Sequence, residues 1–153
     1  MSQSKNKASS SNPARNTIVL ASGDLLVLLL FAIIGRRSHS LSVADIGADL
    51  TTAAPFIISW FLITPWFGLF RPEVSQNWRK LVPRLLLAWV IIGCPVALLL
   101  RALWLGRAIP GGIPLSFAGV ALVVTTLFTL VWRLGYLGWV NQRTAEARQD
   151  IQA

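Results

Sequence analysis

The residue with the clearest potential for chemistry is Asp24, a carboxylate inside an apolar run that covers residues 17–34. An ionisable side chain at membrane depth is costly and is by default a candidate functional residue. Three interpretations stay open. Asp24 makes a polar contact between helices, or it belongs to an ion or proton pathway, or it caps a helix that begins there. The last leaves only residues 24–34, which are too few to cross a bilayer.

A buried carboxylate needs a partner, because low dielectric disfavours its charged form. A helix rises about 1.5 Å per residue, so the residues expected at a similar depth on other runs are Ser59, Trp60, Trp89 and Thr126. We expect one of them to donate a hydrogen bond to Asp24, or Asp24 to be neutral. Arg84 is the expected cationic partner, because it lies about 8 Å toward the cytoplasm and has a long side chain. Arg133 is placed further away by the same estimate.

A second candidate group follows the first apolar run. It holds Arg36 and the only histidine, His39, with Asp45 and Asp49 a few residues on. Histidine titrates near neutral pH, and with both aspartates it offers three metal ligands, but their spacing matches no known metal motif. A solvated loop is the favoured interpretation. Haem or chlorophyll ligation by His39 alone is an open alternative, and a site with two histidine ligands would require a dimer. We expect neither a metal nor a cofactor.

Other catalytic signatures are missing from the sequence. Cys94 is the single cysteine, so it forms no internal disulfide and is expected to be a small buried hydrophobe. The sequence contains no phosphate-binding loop, nucleophile elbow or zinc-protease motif. An enzyme is therefore the less favoured class of protein.

The elements that position these residues are four apolar runs, at residues 17–34, 50–70, 81–100 and 115–132. Each is close to the 20 or so residues that a helix needs to cross a bilayer. We expect an all-α fold, a bundle of four transmembrane helices within residues 17–140. Residues 1–16 are expected to be a disordered, basic, serine-rich tail, and residues 141–153 a polar tail.

The formal net charge of +8 comes from 14 Lys and Arg against 6 Asp and Glu. The basic residues flank the apolar runs, which indicates membrane orientation rather than nucleic-acid binding. Ten lie before the first run, around the connection between the second and third runs, or after the fourth run, and the other four lie around the two remaining connections. We therefore expect both termini on the cytoplasmic side. The bilayer, including anionic lipid head groups, is the expected partner.

Small and hydroxyl residues fall on one face of the fourth run, which is typical of helix contacts in membranes. They step by three or four positions: Ser116, Gly119, Val123, Thr126, Thr129 and Arg133. A similar face of the first run contains Asp24. We expect both faces to point into the bundle.

Several motifs resemble a family of small polytopic membrane proteins of bacteria and photosynthetic lineages, known as domain of unknown function 3054. The motifs are Gly23-Asp24, Phe31 through Gly35-Arg36-Arg37-Ser38-His39, Pro55-Phe56 with Trp60, Arg101 with Trp104, and Trp132-Arg133. The resemblance covers residues 18–133. It implies a four-span fold and no established activity, and it draws attention to Asp24, Arg36, His39, Pro55 and Trp60 without giving any of them a role.

Three functions remain open. The favoured one is an interaction, assembly or accessory subunit of a membrane complex, with another membrane protein or a second copy as partner. The second is a small oligomeric ion or metabolite transporter that uses Asp24. The third is a cofactor-binding membrane protein or enzyme that uses His39, Arg36 and Asp45. The expected location is a bacterial plasma membrane, with the thylakoid membrane as the alternative.

Overall fold

The computed structural model describes residues 13–38, 45–107 and 113–152, and these are mostly helical with no strand among them. The elements in chain order are α1 (Pro13–Ser38), α2 (Ile46–Ile63), α3 (Pro72–Ser75), α4 (Trp78–Leu86), a π-helical segment (Leu87–Gly93), α5 (Cys94–Trp104) and α6 (Leu115–Gln152). The prediction of an all-α fold is confirmed.

Four helical stretches are long and apolar enough to cross a membrane. They are Ala14–Ser38, Ile46–Ile63, Trp78–Trp104 and Leu115–Glu146. The third of these spans joins α4, the π segment and α5 without a break. The protein is therefore an integral, multi-pass membrane protein.

The second span ends at Ile63, although the apolar run continues to residue 70. Thr64 still has helical geometry, but Pro65 has no backbone N–H to donate to the carbonyl four residues before it, so the helical hydrogen bonding stops there. Gly68 then adopts a left-handed conformation with φ of 66°, which only glycine adopts without strain. The chain turns over residues 64–70, with the Leu69 amide donating to the Thr64 carbonyl at 3.3 Å.

Helices α1 and α6 extend beyond the apolar runs. Pro13 begins α1, a position where its fixed φ suits a first turn. Helix α6 continues through residues 133–152, because no Pro or Gly follows Gly138 and good helix formers dominate there. As a result, Arg133 lies inside a long helix rather than at the end of a span.

The core forms between the four spans: α2 packs against α1 and the third span, and α6 packs against the same two. Two indole rings occupy its centre, since Trp60 and Trp89 are fully buried and meet edge to face at 5.0 Å between centroids. Phe31 and Phe56 pack in the same way at 5.2 Å. Cys94 is buried beside them as a free thiol.

Candidate functional site

The candidate site is a buried ion pair between α1 and α6. Arg133 Nε donates to Asp24 Oδ1 at 3.0 Å, and Arg133 Nη2 donates to Asp24 Oδ2. The guanidinium therefore binds both carboxylate oxygens, the bidentate geometry that gives the strongest Arg–carboxylate pairs. Both side chains are fully buried. The pair joins two residues that are 109 positions apart in the sequence.

Helix α2 supplies a further hydrogen-bond donor to the Asp24 carboxylate. Trp60 Nε1 donates to Asp24 Oδ2 at 3.0 Å. Asp24 thus accepts two hydrogen bonds from Arg133 on α6 and one from Trp60 on α2. Among the four donors expected at its depth, Trp60 is the one that reaches it.

The broken end of the second span supplies a further acceptor for the arginine. Arg133 Nη1 donates to the backbone carbonyl of Leu69 at 2.7 Å. The turn at Pro65 and Gly68 brings this carbonyl to the Arg133 guanidinium. Irregular backbone is tolerated at membrane depth when the protein itself satisfies it.

Aromatic rings close the site against lipid. The Arg133 guanidinium lies 4.9 Å from the centroid of Phe70 and 6.0 Å from that of Trp60, distances at which a cation is attracted to the ring face. Trp132 presses its indole directly over Gly23, where a Cβ atom would overlap the ring. The close approach of α1 and α6 therefore depends on glycine at this position.

The arrangement fixes the helices relative to one another, and the three residues Asp24, Trp60 and Arg133 are here called the α1–α6 clamp. Removing two charges from water costs several kcal/mol per ion, and good geometry with satisfied hydrogen bonds offsets that cost. Here Asp24 accepts from three donors, and Arg133 donates to both Asp24 and Leu69. Proton transfer at Asp24 would first have to break this shell. The pair links α1, α2, the following turn and α6 into one unit.

The expectation that Arg84 pairs with Asp24 is wrong. Arg84 is exposed and lines a cavity of about 520 Å³ with Arg71, Glu73 and Lys80. Arg133 takes the role instead, because α6 runs on past residue 132 and brings a residue expected at the membrane edge into the bundle. The sequence did contain a signal, since Arg133 lies on the same helical face as Thr126 and Thr129.

The inward face expected for the fourth span is correct only in its second half. Thr126, Thr129 and Arg133 are buried, whereas Ser116, Gly119 and Val123 are exposed. Thr126 donates its hydroxyl to the Leu122 carbonyl of its own helix at 2.6 Å and does not reach Asp24. In the first half of α6 a different face points inward, since Ala121 is buried and Phe117 packs against the core.

A second polar layer lies where α2, the π segment and α6 meet. Trp89 Nε1 donates to Thr125 Oγ1 at 2.8 Å. Ser59 Oγ donates to the Gly93 carbonyl at 2.6 Å, at the end of the π segment. These two contacts hold the π segment against α2 and α6.

We predict that Ser59→Ala lowers the free energy of unfolding by about 1–2 kcal/mol, because it leaves the buried Gly93 carbonyl without its donor. Unfolding by dodecyl sulfate in mixed micelles measures this change. Ser22→Ala is the matched control, since Ser22 is exposed on α1, and we expect no loss there. Equal stability of the two variants would contradict the role of Ser59.

Of the four candidate residues between the first and second apolar runs, the structure describes Arg36, Asp45 and Asp49. Arg36 Nε lies 2.6 Å from Asp49 Oδ1, an ion pair between the end of α1 and the start of α2. Asp45 caps α2 by accepting from the Ala48 amide at 2.9 Å. His39 lies outside the described residues. Within the described ranges, no group of three or more His, Cys, Asp and Glu side chains is arranged to hold a metal.

Pro55 is buried inside α2 and lines a basic cavity at the end of the bundle opposite the chain termini. No residue of the α1–α6 clamp lines this cavity. Of the residues singled out in the sequence, the structure brings Asp24 and Trp60 together, and it places Arg36 and Pro55 at a separate cavity.

Comparison with known proteins identifies a family. The family model described as "Protein of unknown function (DUF3054)" matches residues 21–136, which include Asp24, Trp60 and Arg133. Searches of the curated proteins and of the solved structures found no significant match. Since the family match covers most of the chain and all four spans in part or whole, the protein belongs to the DUF3054 family of membrane proteins.

Proposed function

We propose that this protein is an accessory or assembly subunit that binds a transmembrane helix of another membrane protein along α6. The observation that carries the proposal is the exposed face of α6. In its most apolar 18-residue window only 22% of the residues are buried, against 28% in the second span and 39% in the first and third. The exposed face carries Gly135, Gly138 and Trp139 beside aliphatic side chains such as Val131 and Leu134.

The binding surface is a groove of about 480 Å³, here called the α6 groove. Its lining is almost wholly apolar and consists of Val19, Val131, Trp132, Gly135, Tyr136 and Trp139. Gly135 and Gly138 have open space where a Cβ would stand. Small residues let backbones approach closely and are enriched where membrane helices pack together. A second helix therefore fits this face better than disordered acyl chains do.

One polar atom in the groove supports a protein partner. Tyr136 Oη is buried and has no hydrogen-bond partner among the residues that the structure describes. A buried donor without a partner is costly. A serine, threonine or backbone carbonyl of a docked helix would supply the acceptor that a lipid chain lacks.

The contacts of the α1–α6 clamp favour a structural role for Asp24 over a role in a transport pathway. Asp24 has its oxygens occupied by Arg133 and Trp60, and all three residues are fully buried. Transport through Asp24 would require opening these contacts in every cycle. Fixed together, they hold α6 in one orientation and so present the groove in one geometry.

We further propose that both termini lie in the cytoplasm of a bacterial cell, with the protein in the plasma membrane. Arg133 is buried in the bundle and no longer counts as a flanking charge. The remaining basic residues divide nine to four in favour of the side that holds the termini, and basic residues accumulate on the cytoplasmic side.

Photo-crosslinking in the native membrane tests the partner. A crosslinking amino acid at Val131, which is 72% exposed, is expected to give a discrete adduct with a second membrane protein. The same probe at Ile91, 63% exposed on the third span, is expected to give none. Adducts of equal yield at both positions, or an adduct with a second copy of the chain, would contradict the accessory role.

We predict that Gly135→Leu combined with Gly138→Leu reduces the Val131 adduct at least about fivefold, because overpacking a helix contact costs about 1–3 kcal/mol. The stability of the protein itself should not fall, since both positions face open space. Gly35→Leu on α1, where the space is also open, serves as the control and should leave the adduct unchanged.

A further inference from the structure

The connection between the second and third spans encloses a cavity of about 520 Å³, at the end of the bundle that holds the termini. It is here called the α3–α4 cavity. Residues 71–74, at the start of α3, form one wall, and Lys80 and Arg84 of α4 form the other. A cavity of this volume is large enough for a small organic group rather than a single ion.

The charge around the α3–α4 cavity is unbalanced. Arg71, Lys80 and Arg84 line it together with a single carboxylate, Glu73, which leaves a net charge of two. The ion pairs among the residues that the structure describes lie elsewhere in the molecule, so no close contact neutralises these groups. Like charges gathered around one space repel each other, and an anion between them would offset that repulsion.

Both walls of the cavity are anchored in the core. Leu81 and Leu85 of α4 are fully buried, and Lys80 and Arg84 each precede one of them. The two basic side chains therefore lie one turn apart on the same face of α4, beside its buried face. Val74, which is 2% exposed, fixes α3 in the same way. The packing of these apolar side chains holds the cations at the rim of the cavity.

The cavity lies at the level where a span meets lipid head groups. The apolar run of the third span begins at residue 81, so Lys80 and Arg84 belong to its first turn. Two tryptophans of the same region are exposed, Trp66 by 86% and Trp78 by 58%. Exposed indoles are typical of the interface between membrane and water. The space between α3 and α4 is therefore placed where lipid phosphates lie.

We propose that the α3–α4 cavity binds a phosphate group, with Arg71, Lys80 and Arg84 as the donors. A guanidinium offers two N–H groups in a fork that matches two phosphate oxygens, and an ammonium adds a point charge. Two sources share this chemistry: the head group of an anionic phospholipid and a free phosphate. Position favours the lipid, because basic pockets beside membrane helices bind phosphorylated head groups.

Lipid titration of the full-length protein tests the site. The protein is purified in a non-ionic maltoside detergent, and phosphatidylglycerol, phosphatidylcholine or inorganic phosphate is added while the melting temperature is recorded. Wild-type protein should be stabilised by phosphatidylglycerol more than by phosphatidylcholine. Lys80→Gln combined with Arg84→Gln should weaken the apparent Kd for phosphatidylglycerol at least about tenfold, because each basic residue near the surface contributes about 1 kcal/mol.

A matched variant separates this site from general charge attraction. Arg79→Gln combined with Arg143→Gln removes the same charge, also from exposed positions at the end that holds the termini. Neither arginine lines the cavity, and each lies over a tryptophan ring instead, Arg79 over Trp78 and Arg143 over Trp139. The Kd of this control should stay within about twofold of wild type.

Glu73→Gln tests the same site through a gain. It removes the one carboxylate that lines the cavity, at an exposed position, so phosphatidylglycerol should bind at least about twofold more tightly. A gain in affinity cannot come from misfolding, so this variant decides the question if Lys80→Gln with Arg84→Gln does not fold.

The outcomes distinguish the sources. Stabilisation by phosphatidylglycerol without an effect of inorganic phosphate supports a lipid site, and stabilisation by inorganic phosphate that is lost in Lys80→Gln with Arg84→Gln supports a site for a soluble ligand. Three results would overturn the proposal: no stabilisation by either phosphate source, equal stabilisation by phosphatidylcholine, or an equal loss of affinity in the Arg79 and Arg143 control.

Discussion

Replacing Arg133 with glutamine is expected to lower the free energy of unfolding by about 3–5 kcal/mol, because Asp24 would be left as a fully buried carboxylate without a cation. Asp24→Asn should have a cost of similar size for the converse reason. Dodecyl sulfate unfolding in mixed micelles, followed through tryptophan fluorescence, measures both. A loss of this size exceeds the 1–2 kcal/mol expected for the Ser59 hydroxyl, because a buried charge costs more than a buried carbonyl when its partner is removed.

The double variant identifies the cause of that loss. Asp24→Asn with Arg133→Gln removes both charges and keeps groups that can hydrogen-bond to each other, so we expect it to recover more than half of the lost stability. Arg84→Gln is the control, because its side chain is exposed, and it should change stability by less than about 0.5 kcal/mol. Additive losses in the double variant would show that the two residues do not interact.

Adding one methyl group at Gly23 is expected to separate α1 from α6. In Gly23→Ala the new Cβ overlaps the indole of Trp132, and neither a helix backbone nor a large ring in a packed interface yields cheaply. Overpacking of this kind costs about 1–3 kcal/mol. The neighbouring ion pair should weaken as well, since Asp24 follows Gly23 and Arg133 follows Trp132.

The same helix provides a control. Gly35→Ala introduces the same methyl group where the structure has open space, so stability should be unchanged or rise by up to about 1 kcal/mol from better helix propensity. Trp132→Phe combined with Gly23→Ala should regain part of the loss, because the smaller ring makes room. A Gly23→Ala protein as stable as Gly35→Ala would mean that the two helices do not meet as closely as described.

The four spans could be predicted from the sequence because hydropathy over 20 residues depends on the bilayer and hardly on tertiary detail. Their ends could not. The run of residues 50–70 is apolar throughout, yet Pro65 and Gly68 end the helix at Ile63. In the other direction, helix propensity carries α6 far past its last apolar residues. Hydropathy reports neither effect.

The centre of the site is partly visible in the sequence. Asp24 and Trp60 share a depth and are polar groups in apolar runs, so pairing them needs only the rise of a helix. Arg133 is placed at the wrong depth by an estimate that ends the fourth span at residue 132, because α6 in fact continues through it. The role of the Leu69 carbonyl could not be predicted from the sequence, because every residue has a carbonyl and only the turn places this one beside Arg133.

Solid-state nuclear magnetic resonance in lipid bilayers tests the clamp most directly, through dipolar coupling between the Asp24 side-chain carbon and the Arg133 guanidinium nitrogens. Protein labelled at Asp and Arg should show a strong coupling that is lost in Asp24→Asn. Among the described residues the Arg36–Asp49 pair should give a second coupling, which is lost in Asp49→Asn instead. A spectrum in which Asp24→Asn removes no coupling would contradict the ion pair that joins α1 to α6.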